Sequence, residues 1–233
     1  GILFVIAMVF LLIAGVLLYQ MFFPNNTPVL KMQAVNKEDN SIKWDVLREI
    51  NPDIVGWLSI EGTNIDTPVV QTTDNDKYLY TAFDGSSDER GTPFLDKDYT
   101  FDGQSRNSVI YGHSTMRSRV HVMFDDLLVY VDDPSFINEH KIIKYNRPPE
   151  LGGDSRWEIF SILVQESDFD YRQMIFENDE QFINYYASIK ENSRVQTNVD
   201  IQPGDEILTL STCIFNVGLN DGRLAVIAKK INE

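Results

Sequence analysis

Two apolar stretches decide the fold: Glu206–Cys213, which reads EILTLSTC, and Arg223–Ala228, which reads RLAVIA. Their apolar parts, Glu206–Leu210 and Leu224–Ala228, have the length and the Ile, Leu and Val content of buried β-strands. The intervening segment from Asn216 to Gly222 is rich in Asn, Asp and Gly, which favour turns. The pattern therefore predicts a hairpin that brings Arg223 beside Cys213.

Short apolar runs of the same kind recur through most of the chain and are separated by clusters of Gly, Asp and Asn. About eight such runs predict a closed barrel or a sandwich rather than a βαβ fold. The predicted strands are Ile54–Ile60, Ile65–Gln71, Pro93–Leu95, Ser108–His113, Lys141–Tyr145, Trp157–Val164, Glu206–Ser211 and Leu224–Ala228.

Two helices are predicted around these strands. Residues 41–50 form a short amphipathic helix. A second helix begins at Asn178, with Gln181 three residues later as in a capping box. Its apolar positions recur with helical spacing and are expected to pack on the barrel: Phe182, Tyr185, Tyr186 and Ile189. The helix lies in a long inter-strand segment, residues 165–204, and segments of this length are usually functional.

The first 23 residues contain no charge and one polar residue, Gln20. About 20 apolar residues are enough to span a bilayer, and no small-residue cleavage site follows. We therefore predict a transmembrane signal anchor over residues 1–23, with a cleaved signal peptide as the alternative. Residues 24–40 are expected to be a linker and residues 41–233 the folded domain.

Charge and cysteine content limit the classes of function. The net charge is −15, and no charged residue precedes Lys31. A domain this acidic is not expected to bind nucleic acid, which needs a basic surface. The single cysteine, Cys213, cannot form an internal disulfide. One cysteine and three scattered histidines give no zinc spacing, and the acidic stretch Asp96–Asp102 is interpreted as solvated turns rather than a calcium site.

Three polar residues at strand ends are the candidate catalytic groups. Cys213 ends one apolar strand, Arg223 opens the next, and His113 follows the apolar strand that ends in Tyr111-Gly112. A thiolate nucleophile needs a base or a positive charge nearby, and a permanently charged arginine can stabilise an oxyanion. Taken singly, each residue has a structural alternative: a buried cysteine is a small apolar residue, and an arginine pairs with a surface carboxylate.

Taken together, the motifs resemble the sortases of Gram-positive bacteria. Thr209–Cys213 (TLSTC) is followed ten residues later by Arg223, and Val109–His113 (VIYGH) lies upstream. The similarity runs over about residues 42–231. Class B sortases fit best, because they share the TLSTC form, the N-terminal helical segment and the helix-bearing insertion before the cysteine strand. Three further segments are similar: Asn64–Gln71 (NIDTPVVQ), Asp74–Leu79 (DNDKYL) and Gly91–Asp96 (GTPFLD).

The resemblance implies a mostly β protein with short helices, an eight-stranded sortase-like barrel preceded by a transmembrane helix. It implies a membrane protein with one span and an extracellular catalytic domain. The activity would be that of a cysteine transpeptidase, with Cys213 as nucleophile, His113 as acid and base, and Arg223 as oxyanion stabiliser. It would cleave the sorting signal of surface proteins after Thr and join them to a peptidoglycan precursor or cross-bridge amine, without a metal or other cofactor.

Five residues are expected to bind substrate: Ser114, Ser167, Tyr171, Ser211 and Thr212. After the histidine, class B enzymes usually continue with Asn-Met, whereas this chain has Ser114 and a longer loop to Val122. An aspartate-based triad is a weaker interpretation, because no carboxylate is suitably placed in the sequence. Two other functions stay open: a cysteine peptidase that releases its product to water, and a surface-anchored barrel that binds without catalysis.

Overall fold

The computed structural model describes residues 41–114, 123–215 and 217–231. The chain divides into two compact units, residues 1–46 and residues 47–233, and the second contains the whole sheet. Eight strands close into a barrel in the order β1-β2-β3-β4-β7-β8-β6-β5. The prediction of a mostly β, eight-stranded barrel is confirmed. The strands are β1 Ile54–Ile60, β2 Asp66–Val70, β3 Phe94–Leu95, β4 Asn107–Tyr111, β5 Ile142–Asn146, β6 Arg156–Glu166, β7 Ile207–Cys213 and β8 Gly222–Lys230.

Helical segments in the described residues are short. The α-helices are α1 Trp44–Ile50, α2 Val129–Asp132 and α3 Asp179–Glu191. Single 3₁₀ segments cover Lys77–Leu79, Met123–Leu128, Pro134–Asn138 and Pro149–Leu151. Both predicted helices are present, and the first begins at Trp44 rather than at residue 41.

Strands β7 and β8 are buried on both faces, which explains why their sequences are continuously apolar rather than alternating. On β8, Leu224 and Val226 point into the barrel core, while Ala225 and Ile227 belong to a second apolar cluster on the outer side. Helix α3 covers that outer face with Phe182 and three other apolar side chains. The predicted packing of this helix on the barrel is therefore confirmed.

Local hydrogen bonds fix the start of α3. The Asn178 side chain accepts a hydrogen bond from the Gln181 amide at 2.9 Å, as predicted for an N-cap. The Gln181 side chain in turn accepts from the Glu177 amide at 2.7 Å, one residue earlier than in a standard capping box. Arg106, the residue before β4, stacks on the Phe182 ring at 3.5 Å and pairs with Asp179. The helical insertion is therefore attached to the strand that leads to His113.

Three strand boundaries differ from the predicted ones in a way that affects the site. Strand β7 continues to Cys213 and β8 begins at Gly222, because the two strands stay paired up to the Cys213–Arg223 pair. Strand β4 stops at Tyr111, so His113 follows the strand instead of ending it. The predicted anchor, residues 1–23, and the linker, residues 24–40, lie outside the described residues. No helix within the described residues is both long enough and apolar enough to cross a membrane.

Candidate active site

Backbone pairing brings the three candidate catalytic residues to neighbouring strand ends. Strands β4 and β7 are parallel and in register from Asn107–Ile207 to Tyr111–Ser211. His113 and Cys213 therefore each lie two residues beyond the same paired position. On the other side of β7, Cys213 pairs directly with Arg223 of β8. Cys213 is half-buried and lies between the strand that leads to the histidine and the strand that carries the arginine.

Gly112, which connects β4 to His113, is hydrogen-bonded to β7 through both its amide and its carbonyl. The Gly112 amide donates to the Ser211 carbonyl at 3.1 Å. The Thr212 hydroxyl donates to the Gly112 carbonyl at 2.7 Å. A side chain at Gly112 would overlap the buried Phe124 ring, so the residue before His113 must be small. These contacts hold the histidine and cysteine segments in a fixed register.

The His113 imidazole is oriented by a backbone carbonyl rather than by a carboxylate. Its Nε2 lies 2.8 Å from the Leu79 oxygen. A carbonyl oxygen can only accept, so Nε2 carries the hydrogen of this bond. Nδ1 is then the ring nitrogen that exchanges protons when the histidine is neutral.

The segment that carries the Leu79 carbonyl is itself held by buried hydrogen bonds. The Tyr78 hydroxyl, next to Leu79 in the 3₁₀ segment, accepts from the Asn51 side chain at 2.7 Å and donates to Asp53 at 2.8 Å. The Thr92 amide donates to the Tyr78 carbonyl at 2.9 Å. Gly91 has φ +63° and lies so close to the Tyr78 and Leu79 carbonyls that a β-carbon would overlap both. The histidine's acceptor is therefore a rigid part of the fold.

The Arg223 guanidinium remains charged at all relevant pH values. Partial burial disfavours the charge, but hydrogen bonding to Asp221 and the negative charge of a Cys213 thiolate outweigh it and raise the pKa of Arg223 above its ordinary value. Besides Asp221, its Nη1 donates to the Gly222 carbonyl at 3.1 Å.

Most of the predicted substrate-binding side chains lie beneath the surface and make internal hydrogen bonds. Ser211 and Tyr171 are 3% and 2% exposed, and their hydroxyls lie 2.9 Å apart. Thr212 is 3% exposed and bonds to Gly112; Ser114 is 8% exposed and donates to the fully buried Asp125 at 2.8 Å. These four side chains support the strand ends, because each directs its hydroxyl to a protein group.

Ser167 is the member of the predicted set that stays partly accessible. Its amide donates to the Asp221 carbonyl at 3.0 Å, so it contacts the loop before Arg223. Of the lengthened loop 114–122, residues 115–122 lie outside the described residues.

Several groups beside the site were missed by the sequence reasoning. Tyr80 is 63% exposed, and its ring centroid lies 5.9 Å from that of His113. Phe215, two residues after Cys213, is 50% exposed. Exposed aromatic residues at a site often contact a ligand. In the sequence, the only signal for these two was their position next to the DNDKYL and TLSTC motifs. The Leu79 carbonyl has no side-chain signature, and Asp221 looked like an ordinary turn residue.

Comparison with known proteins agrees with this geometry. The family model described as "Sortase domain" matches residues 58–231. The chain belongs to the sortase family. Its relatives include Sortase B of Listeria monocytogenes, 32% identical over 80% of this chain and 73% of the relative, and Sortase B of Staphylococcus aureus, 31% identical over 81% and 75%.

Solved structures of class B sortases superpose on this sortase over most of its length. The Clostridium perfringens Sortase B structure has a TM-score of 0.72 at 32% identity and covers 82% of this chain and 100% of its own. A Staphylococcus aureus sortase B–substrate complex has a TM-score of 0.73 at 29% identity, with 92% and 93% covered. The sequence-based assignment to a class B-like sortase is confirmed.

Proposed function

We propose that this sortase is a cysteine transpeptidase that cleaves a C-terminal sorting signal after Thr and joins the protein to a cell-wall amine. The observation that carries the proposal is the placement of Cys213 between His113 and Arg223 at adjoining strand ends. A nucleophile, a proton carrier and a permanent cation are the groups that acyl transfer through a thioester requires.

In the first step, Cys213 attacks as a thiolate, its proton having passed to His113. The thiolate sulfur forms a bond to the threonine carbonyl carbon, and the oxygen becomes an oxyanion. The imidazolium then protonates the amine of the departing peptide, and the C–N bond breaks to leave a thioester on Cys213. The Leu79 carbonyl favours this cycle because it holds Nε2–H in place while Nδ1 gains and loses the proton.

Arg223 is proposed to stabilise the oxyanion. Its charge does not change during the reaction, so the stabilisation requires no proton transfer. In the second step, an incoming amine attacks the thioester and gives its proton to neutral His113. The Cys213 thiolate leaves and the new amide is released, so the enzyme returns to its starting state.

The substrates are proposed from the relatives. A Staphylococcus aureus sortase B has been solved as a substrate complex, and a Bacillus anthracis sortase B as a complex with AAEK2. We extend to this chain the use of a peptide sorting signal and a peptidoglycan precursor or cross-bridge amine. The exposed rings of Tyr80 and Phe215 offer apolar contacts to such a peptide. The membrane location is proposed from the apolar residues 1–23, and the placement of the barrel outside the cell from the resemblance to sortases.

The proposal is tested by product analysis with the domain and a panel of sorting-signal peptides. Each peptide is incubated with and without oligoglycine or a diaminopimelate-type amine, and the products are identified by mass. The expected product carries the added amine on the carboxyl group of threonine. Cleavage with release to water alone, even at high amine concentration, would instead establish a cysteine peptidase. Absence of any Cys213-dependent cleavage would favour a binding barrel.

A further inference from the structure

The loop between β7 and β8 places a carboxylate directly against the arginine of the site. Asp221 accepts hydrogen bonds from Nη1 of Arg223 and, at 3.3 Å, from Nη2. The two residues are separated only by Gly222, so the carboxylate meets the guanidinium from its own strand. Two contacts of this kind fix the plane of a guanidinium, which a single contact does not.

The backbone of Asp221 is held in turn by Glu166, the last residue of strand β6, and by Ser167, which follows it. The Glu166 carboxylate accepts from the Asn220 and Asp221 amides, each at 3.0 Å. The Ser167 amide donates to the Asp221 carbonyl at 3.0 Å. Hydrogen bonds from the Ser167 side chain, which has the larger effect, and from Arg223 lower the pKa of Asp221 below its ordinary value. Glu166 thus contacts Asn220 and Asp221, and Ser167 contacts Asp221 through both its backbone and its side chain.

We infer that Asp221 is a positioning residue, held by Glu166 and Ser167, that fixes the Arg223 guanidinium beside Cys213 for oxyanion stabilisation. The inference rests on the proposed function and deepens it. It also gives Ser167 a role different from the substrate contact expected from the sequence. An unrestrained arginine has several rotatable bonds, so a fixed guanidinium is presented to the oxyanion more often than a free one.

The opposite effect, in which Asp221 weakens the arginine by neutralising it, is opposed by the exposures of the two side chains. The Asp221 side chain is 57% exposed, whereas the Arg223 side chain is 26% exposed. Water screens the carboxylate's repulsion of an oxyanion more strongly than the attraction between the guanidinium and that oxyanion. Geometry is therefore expected to outweigh charge.

Three variants separate geometry from charge: Asp221→Ala, Asp221→Asn and the control Asp98→Ala. Asp98 is an exposed carboxylate in the loop after β3 that pairs with Lys97. The rate of thioester formation on Cys213 is measured by intact mass over a range of peptide concentrations. Asp221→Ala should lower the acylation rate constant about tenfold and leave KM within about twofold. Asp221→Asn keeps an oxygen acceptor and should retain most of the rate, and Asp98→Ala should not change it.

A double-mutant cycle with Arg223→Ala tests whether Asp221 acts through the arginine. On that background, Asp221→Ala should cause no further loss of rate. An equal loss on both backgrounds would show a structural role and overturn the inference, even if the variant were less stable. A faster Asp221→Ala enzyme would overturn it and show that Asp221 weakens Arg223 by neutralising its charge. An unchanged rate would also overturn it, because the contact would then have no effect on catalysis. If the wild-type enzyme forms no thioester, the proposed function fails and the inference falls with it.

Discussion

Replacing Gly91 by alanine adds a methyl group against the segment whose carbonyl orients His113. The Leu79 oxygen lies 2.8 Å from the position of the added carbon, and the Tyr78 oxygen lies closer still. Carbon and carbonyl oxygen normally approach no nearer than about 3.3 Å. The Leu79 carbonyl must therefore move by about half an ångström, unless the backbone at Gly91 moves instead.

A movement of that size is large compared with the tolerance of the His113 hydrogen bond. The bond measures 2.8 Å, and N–H···O bonds weaken beyond about 3.2 Å. Without it, Nε2 loses its acceptor and the imidazole can rotate. Misplacement of a reacting group by about 1 Å can cost about 100-fold, so we expect Gly91→Ala to lower kcat/KM by about 10- to 100-fold.

The same substitution also strains the backbone, and this effect needs a matched control. A left-handed conformation costs a non-glycine residue about 1–2 kcal/mol, and overpacking adds about 1–3 kcal/mol. Gly85 has φ +84° in the same inter-strand segment, and a β-carbon there would meet no atom within 4 Å. Gly85→Ala should therefore lose about 1–2 kcal/mol of unfolding free energy and keep its activity.

The assay combines urea unfolding with the rate of peptide cleavage at a temperature where both variants remain folded. We expect loss of activity in Gly91→Ala and normal activity in Gly85→Ala. A folded Gly91→Ala enzyme with full kcat/KM would refute the view that the Leu79 carbonyl orients the histidine. Equal loss of activity in both variants would show that backbone strain alone is responsible.

Two further predictions concern buried and paired charges. Arg147 is 4% exposed, pairs with no carboxylate among the described residues, and lies over the Tyr145 and Phe101 rings at 5.5 and 6.0 Å. Arg147→Met should therefore change the unfolding free energy by less than about 1 kcal/mol, and a loss above about 3 kcal/mol in urea unfolding would reveal a strong partner. Burial raises the pKa of Asp88, but the Arg90 side chain outweighs it and holds the pKa below its ordinary value. The pair therefore stabilises the fold above about pH 4, and this contribution disappears as the pH falls through the folded-state pKa. Arg90→Met should be destabilised by up to about 1 kcal/mol at pH 7 and should approach the wild type as acid protonates Asp88, and a difference independent of pH would contradict this expectation.

The strands were predictable because burial on one or both faces leaves a direct record in the sequence. The β7–β8 hairpin followed from two apolar runs and a polar turn, and the pairing of Cys213 with Arg223 followed from the hairpin. The ends of the strands were less predictable. The end of β7, Ser211–Cys213, has residue types that are also common in loops. It is a strand because it pairs with β8 across the hairpin.

The supporting parts of the site could not be predicted for a different reason. His113 is oriented by the Leu79 carbonyl, and every residue has a carbonyl, so the sequence holds no signal for it. Four polar side chains near the nucleophile were expected to contact substrate but are buried: Ser114, Tyr171, Ser211 and Thr212. Their burial depends on how α3 and the strand ends pack, which is a property of the tertiary structure. Tyr171 shows this, since its hydroxyl reaches Ser211 across 40 positions of sequence.

The central claim is that Cys213 carries a thioester formed with the help of His113 and Arg223, and intact-mass measurement tests it most directly. The domain is mixed with a cleavable sorting-signal peptide, quenched in acid, and the modified residue is located by peptide mapping. We expect an adduct on Cys213 equal in mass to the peptide fragment that ends in threonine. The adduct should be released by hydroxylamine, absent from Cys213→Ala, and strongly reduced in His113→Ala and Arg223→Ala. Cleavage that continues in Cys213→Ala, or an adduct on another residue, would contradict the account.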